Sequence, residues 1–213
     1  PISPIMLSII IGLLIGNIFK IPSIFSEGIK FSLKFILRLG IICLGIRLGL
    51  LDILKVGIIG IPLIIACIII SILIVNYLCK FLKVSSKIGS LIAVGTSICG
   101  ASAIVATSPA INADKEEVTY AIANITIFGI IAMFIYPFIA HYLFNGDELS
   151  IGLFLGTSIH ETAQVAGAGL IYSEQYNSPT TMDIATVTKL VRNVSMIIVI
   201  PFISYLYLKN NID

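Results

Sequence analysis

The chain has 213 residues, of which 58% are hydrophobic and 11% charged, with a mean hydropathy of +1.09. Those values exclude a water-soluble domain, which could not stay in solution with so little polar surface. The formal net charge of +2 comes from basic residues scattered among apolar runs and leaves no footprint for nucleic acid.

Seven hydrophobic elements follow in chain order. The first runs from Ile2 to Phe19 and is closed by Lys20 and Pro22. The second, about Phe31 to Leu51, carries Lys34, Arg38 and Arg47. With Lys30, the first two form a basic stripe suited to snorkelling toward headgroups. The third covers about Leu54 to Leu78, and Val56 to Cys79 is about 24 residues without Asp, Glu, Lys or Arg. That length crosses a hydrocarbon core of about 30 Å. The fourth, about Ser86 to Ile111, is interrupted around Gly95 to Gly100. The fifth, about Glu117 to Phe144, has Pro137 late in it. The sixth, about Leu149 to Tyr172, is interrupted around Gly156 to Thr162, and the seventh is a helix over about Thr181 to Leu208 with Pro201 late in it. The fold class is an all-α polytopic membrane protein, multi-pass in the cell inner membrane with the lipid bilayer as its surroundings. Tyr77, Tyr136, Tyr142, Tyr205 and Tyr207 lie near segment ends, as interfacial anchors would. The four cysteines have no CxxC or metal-type spacing and read as free thiols; neither a metal nor a cofactor is indicated.

The two interruptions share one tetrapeptide, Gly95-Thr96-Ser97-Ile98 and Gly156-Thr157-Ser158-Ile159. Each is followed by a polar loop and a helix ending in Pro-Phe-Ile, at Pro137 and again at Pro201. This is a duplicated unit of the inverted-repeat-transporter type, in which discontinuous helices meet near the membrane midplane. It divides the chain into an N-terminal three-helix segment (1–84), a first repeat unit (85–146) and a second (147–213). The interrupted elements either span as broken helices or turn back as re-entrant hairpins. The hairpin version puts Lys115 and Lys209 inside with Asp147, Glu148 and Glu174 outside, which fits the positive-inside rule better.

Depth places the chemistry. At 1.5 Å per residue, Gly95 lies about 14 Å from Ser86, His160 about 17 Å from Leu149, and Arg192 about 17 Å from Thr181. All three fall near mid-membrane. Broken helices there leave backbone groups that only protein or a wet cavity can satisfy. Candidate substrate-binding residues are Gly95, Thr96, Ser97, Gly100 and Ser102 at the first break, and Gly156, Thr157, Ser158, Thr162 and Gln164 at the second. Lys189, Arg192 and Asn193 form one face of the seventh element, where a buried cation pairs or lines a polar path. They read as an anion-attracting wall, or as one half of a salt bridge to Glu161. Glu161 and His160 are the candidate coupling or gating groups, Glu161 as a proton carrier or as that bridge's acid.

Enzyme signatures are lacking. His160-Glu161 opens a zinc-protease pattern, but its second histidine position is Gln164, and neither tetrapeptide completes a nucleophile elbow.

The stretches Gly95–Ile104, Tyr120–Ala123, Ser158–Val165 and Lys189–Asn193, with Arg38–Arg47, closely resemble the sulfate exporter family of bacterial and archaeal inner-membrane proteins, often catalogued as conserved hypothetical membrane proteins. The resemblance implies a fold akin to inverted-repeat anion and bile-acid-type transporters and cation–proton antiporters. Members of that family continue for several more helices, so the chain reads as a fragment or a shortened member, in which homodimerisation could supply missing walls. The expected function is secondary transport of a small oxyanion, sulfate or sulfonate, held between the two breaks. The alternatives are a cation- or proton-coupled antiporter with Glu161 as ion carrier, and a non-transporting membrane subunit. The anion reading requires Arg192 to be unpaired and facing a cavity.

Overall fold

The computed structural model describes residues 4–19, 22–36, 39–40, 42–43 and 50–210. Of the described residues 86% are helical and none lies in a strand. Lys20, Arg38 and Arg47, and the side chain of Lys34, lie outside that description, and so does the basic stripe expected on the second element.

Helix α1 (Pro4–Ile18) fills the first element. The second begins earlier than its apolar run, with a 3-10 turn at Ser23–Phe25, α2 (Ser26–Phe31) and a π-helical stretch at Ser32–Ile36. Helix α3 (Leu50–Phe81) tolerates Pro62 and exposes apolar side chains such as Ile58, Ile69 and Leu73 to its surroundings. A helix that is apolar all round belongs in lipid. Helix α6 (Lys115–Leu143) starts on a capping box in which Asp114 and Glu117 each satisfy the other's backbone N–H. Both α6 and the Val56–Phe81 part of α3 are long and apolar enough to cross a membrane.

Each expected interruption is present. The fourth element is α4 (Ser86–Ser97) and α5 (Ala101–Thr107); the sixth is α7 (Glu148–Ser158) and α8 (Thr162–Tyr176). The seventh departs from expectation, because it is two helices, α9 (Pro179–Val194) and α10 (Met196–Asn210), bent by 45°. The cause is local. The Ser195 hydroxyl and N–H both donate to the Arg192 carbonyl, at 2.6 and 3.1 Å, tightening the last turn of α9.

After each break the chain turns back. Ile104 of α5 packs on Leu91 of α4, and Lys87 Nζ donates to the Asn112 carbonyl at 2.8 Å, joining the two outer ends. Both outer ends sit at the start of α6, where Lys87 lies 3.9 Å from the Asp114 and Glu117 carboxylates. The outer ends of α7 and α8 meet through Ser178, whose hydroxyl donates to Glu148 at 2.6 Å. These sit instead at the far end of α6, where His141 stacks on Tyr176 at 3.8 Å and lies 3.0 Å from the Tyr172 hydroxyl.

Helix α9 packs on both α7 and α8. Gly152 and Gly156 form a small-xxx-small pair that lets it approach closely. A Cβ on Gly156 would stand 2.6 Å from the Ala185 carbonyl oxygen, and one on Gly152 would stand 2.6 Å from Ile184 Cβ.

Candidate functional site

The two breaks face each other across α9, and the site is built from the four helix ends created there. Helices α4 and α7 end at the shared tetrapeptide, leaving carbonyls with no partner further along the helix. Two fully buried cations from α9 take them. Arg192 donates from Nε to the Ser97 carbonyl at 2.8 Å, from Nη2 to the Thr96 carbonyl at 2.6 Å, and from Nη1 to the Thr157 carbonyl. Lys189 Nζ donates to the Ile98 carbonyl at 2.8 Å and to the Ile159 carbonyl at 2.9 Å. Each side chain therefore spans both breaks. The cations also face the negative ends of two helix dipoles, and charge-assisted bonds of this kind contribute about 1.5–3 kcal/mol each.

The opposite ends are treated differently. Helix α8 begins on Glu161, whose carboxylate accepts the Gln164 backbone N–H while the Gln164 side chain accepts the Glu161 N–H at 3.3 Å. Helix α5 begins on Gly100, at φ 70°, with no side-chain cap. A Cβ there would lie 2.8 Å from Glu161 Cγ and 3.5 Å from its Oε1, so the carboxyl of one break stands against the backbone of the other.

The salt bridge from Lys189 or Arg192 to Glu161 is not made. Among the described residues the ion pairs within 4 Å belong to Lys87. Nor is Arg192 unpaired toward a cavity, because carbonyls occupy its guanidinium. Backbone acceptors win at this point because the breaks deliver five of them to the face of α9 that carries both cations.

The remaining expected site residues divide between structure and cavity. Gly95 is a packing glycine: a Cβ would lie 2.8 Å from Ile125 Cδ1. The Ser97, Thr157 and Ser158 hydroxyls return to their own helices, donating to Val94, Leu153 and Phe154 carbonyls at 3.2, 2.7 and 2.6 Å. Gln164 also donates to the Thr126 carbonyl of α6 at 3.3 Å. The Thr162 hydroxyl accepts from Asn193 Nδ2 at 3.1 Å, while Ser102 is exposed. Thr96 and His160 line a cavity of about 280 Å³ together with Asn124, Ile125, Phe128 and Tyr136 of α6. His160 Nδ1, Asn193 Oδ1 and Thr188 Oγ1 are buried with no hydrogen-bond partner among the described residues. Such atoms in a native protein need a reason.

Sequence reasoning missed Asn124 and Tyr136. Asn124 carried a usable signal, as an amide in the middle of a span. Tyr136 read as an interfacial anchor, yet it stands in the cavity wall with its ring 5.5 Å from that of Phe154.

The family described as conserved hypothetical protein 698 matches residues 1–212. A UPF0324 membrane protein of Streptococcus agalactiae is 37% identical over 95% of this chain and 60% of its own length. UPF0324 membrane proteins of Pasteurella multocida and Fusobacterium nucleatum are each 37% identical, over 99% and 92% of this chain and 62% and 57% of their own lengths. The chain thus spans about three fifths of these relatives. No solved structure matches it.

Proposed function

The chain belongs to the conserved hypothetical protein 698 family and is a multi-pass protein of the cell membrane, and from that premise we propose that it forms the core of a secondary transporter of a small oxyanion, sulfate or a sulfonate. The observation that carries the reading is the pair of buried cations spanning both breaks. Lys189 and Arg192 against Glu161 leave a formal excess of one positive charge (two minus one) at the crossing. In a low-dielectric interior an unbalanced charge acts strongly on whatever enters beside it. The cavity beside it offers the Thr96 hydroxyl, the Asn124 amide, the Tyr136 phenol and His160. Because carbonyls take up the Arg192 guanidinium, the form of this reading in which an unpaired Arg192 binds the anion fails, and these cavity groups take the contact instead. Lys189 and Arg192 hold the breaks in place and supply the field.

The architecture proposed with it is an inverted repeat of residues 85–146 and 147–213. It is supported by the two helix hairpins having their outer ends at opposite ends of α6, so that one crossing turns the second unit over against the first. The cavity weighs against a non-transporting subunit, which would have its breaks packed shut.

Thermal unfolding in detergent with sulfate, chloride or taurine tests the anion reading. Sulfate should raise Tm of the wild type, and Asn124→Ala or Thr96→Ala should remove the rise. An equal response to chloride and sulfate would sink it. One observation favours a second reading, proton-coupled exchange through Glu161: its carboxyl makes no ion pair with either cation and touches both breaks. Under that reading Glu161→Gln in proteoliposomes abolishes substrate-driven proton flux while leaving sulfate stabilisation in place.

A further inference from the structure

A second cavity, also about 280 Å³, lies away from the crossing, where the end of α3, the start of α4 and the end of α10 meet. Its floor is apolar, with Ile203 buried and Val84 and Leu206 half-buried. Its rim carries Asn76, Lys80, Ser86 and Ser90. The rim groups make no hydrogen bond to one another or to other described residues, although they converge on one space. Ser86 and Ser90 are a turn apart on α4 and present their hydroxyls on the same face.

The neighbouring lysines set Lys80 apart. Lys87 directs its ammonium to the Asn112 carbonyl and the Asp114 and Glu117 carboxylates. Lys83 is exposed and lies outside the cavity lining. Only Lys80 of this basic loop offers a free ammonium to the cavity. Four donors around one opening, one of them cationic, suit a tetrahedral oxyanion with several acceptor oxygens. The apolar floor suits the glycerol and first methylenes attached to such a group. The location fits as well, because three membrane helices end here and the loop's lysines mark the face where anionic headgroups gather.

We propose that this cavity is a phosphate-binding site, taking a phosphate carried on a lipid headgroup or free in solution. An occupant bridges α10 to α3 and α4, tying the arm beyond the Ser195 bend to the first hairpin.

The test is thermal unfolding of the full chain in detergent, titrated with short-chain phosphatidylglycerol, with zwitterionic phosphatidylcholine, whose choline neutralises its phosphate, as the net-neutral control, and separately with inorganic phosphate. Phosphatidylglycerol or phosphate raises Tm of the wild type by several degrees. A response to the lipid alone identifies the headgroup as the source, and a response to inorganic phosphate identifies the free ion. Lys80→Ala raises the concentration for half the effect about fivefold, the weight of one lysine near an anionic surface. Ser90→Leu, which fills the cavity without changing charge, removes the effect, while Lys83→Ala keeps it. None of the three variants touches the crossing, so the part of the sulfate response that Asn124→Ala removes is unchanged in each. No rise in the wild type, or an equal loss in Lys83→Ala and Lys80→Ala, overturns the proposal.

Discussion

The two breaks share Gly-Thr-Ser-Ile and yet are finished differently. Where the preceding helices end they are equivalent: Arg192 and Lys189 take carbonyls from Thr96, Ser97 and Ile98 at one and from Thr157 and Ile159 at the other. Where the next helices start they diverge. The first restarts on Gly100 at positive φ and runs through a seven-residue helix. The second restarts on a Glu161–Gln164 capping box and runs through fifteen residues. The duplicated tetrapeptide therefore ends a helix, and the residues after it decide how the next one starts. An acid supplied by one break serves its own helix and abuts the glycine of the other, so the pair forms a single unit with one carboxyl.

The largest effect should come from removing what the breaks share. Arg192→Ala strands three carbonyls across both breaks, that of Ser97 buried and those of Thr96 and Thr157 part-buried, and should destabilise the protein on the order of 3–5 kcal/mol, measured by unfolding in mild detergent. Arg192→Lys keeps a charge but cannot reach three acceptors in fork geometry, so it should recover less than half of that loss. Full recovery by lysine would mean that charge alone matters, and that the three-carbonyl fork of Arg192 does not hold the breaks together.

Next come the matched glycines. An added methyl at Gly156 meets the Ala185 carbonyl oxygen and Thr188 Cβ at 2.6 Å, whereas at Gly95 it meets the far ends of Ile125 and Ile104 at 2.8 and 2.9 Å. Backbone cannot move aside as isoleucine tips can. Gly156→Ala should therefore cost about 1–3 kcal/mol and Gly95→Ala clearly less. Equal costs would show that the breaks are packed alike. Glu161→Gln keeps an oxygen to cap α8 but loses the charge at its positive end, for about 1 kcal/mol. The first break has no counterpart to this loss.

Much of this arrangement was legible in the residues. Repetition of Gly-Thr-Ser-Ile marked both breaks, because glycine and hydroxyls interrupt an apolar run visibly. Depth counting brought His160 and Arg192 to the same level. The partners of Arg192 were not legible, since its acceptors are backbone carbonyls, which every residue carries and no side chain announces. Reasoning from side chains offered Glu161 as the natural acid for it, but the Glu161 carboxylate caps its own helix through the Gln164 N–H. The bend at Ser195 was hidden for a related reason: a serine turning its hydroxyl onto Arg192 O is indistinguishable in sequence from one facing a neighbour. Asn124 was readable, as a lone amide in a span, and was passed over because no repeat pointed to it.

The smallest effects lie at the outer ends of the hairpins, where the same comparison can be made in reverse. Helix α4 starts on Ser85, whose hydroxyl accepts the Ile88 N–H at 3.2 Å; α7 starts on Asp147, whose carboxylate accepts the Ser150 N–H at 2.9 Å. The position is equivalent, but one cap is neutral and the other charged. At neutral pH, Ser85→Ala and Asp147→Ala should each cost about 1 kcal/mol or less, these caps being exposed. Acid separates them. Hydrogen bonds from Ser150, from its side chain first and its backbone second, hold the Asp147 carboxyl below its usual value. A depressed carboxyl contributes stability that is present above its unfolded-state pKa and is lost as pH falls through the folded one. The difference between wild type and Asp147→Ala should therefore shrink as the pH drops below about 4, while that for Ser85→Ala stays constant. If the Asp147 difference is flat across that window, the carboxylate is not the cap, and the two hairpins are alike at their outer ends after all.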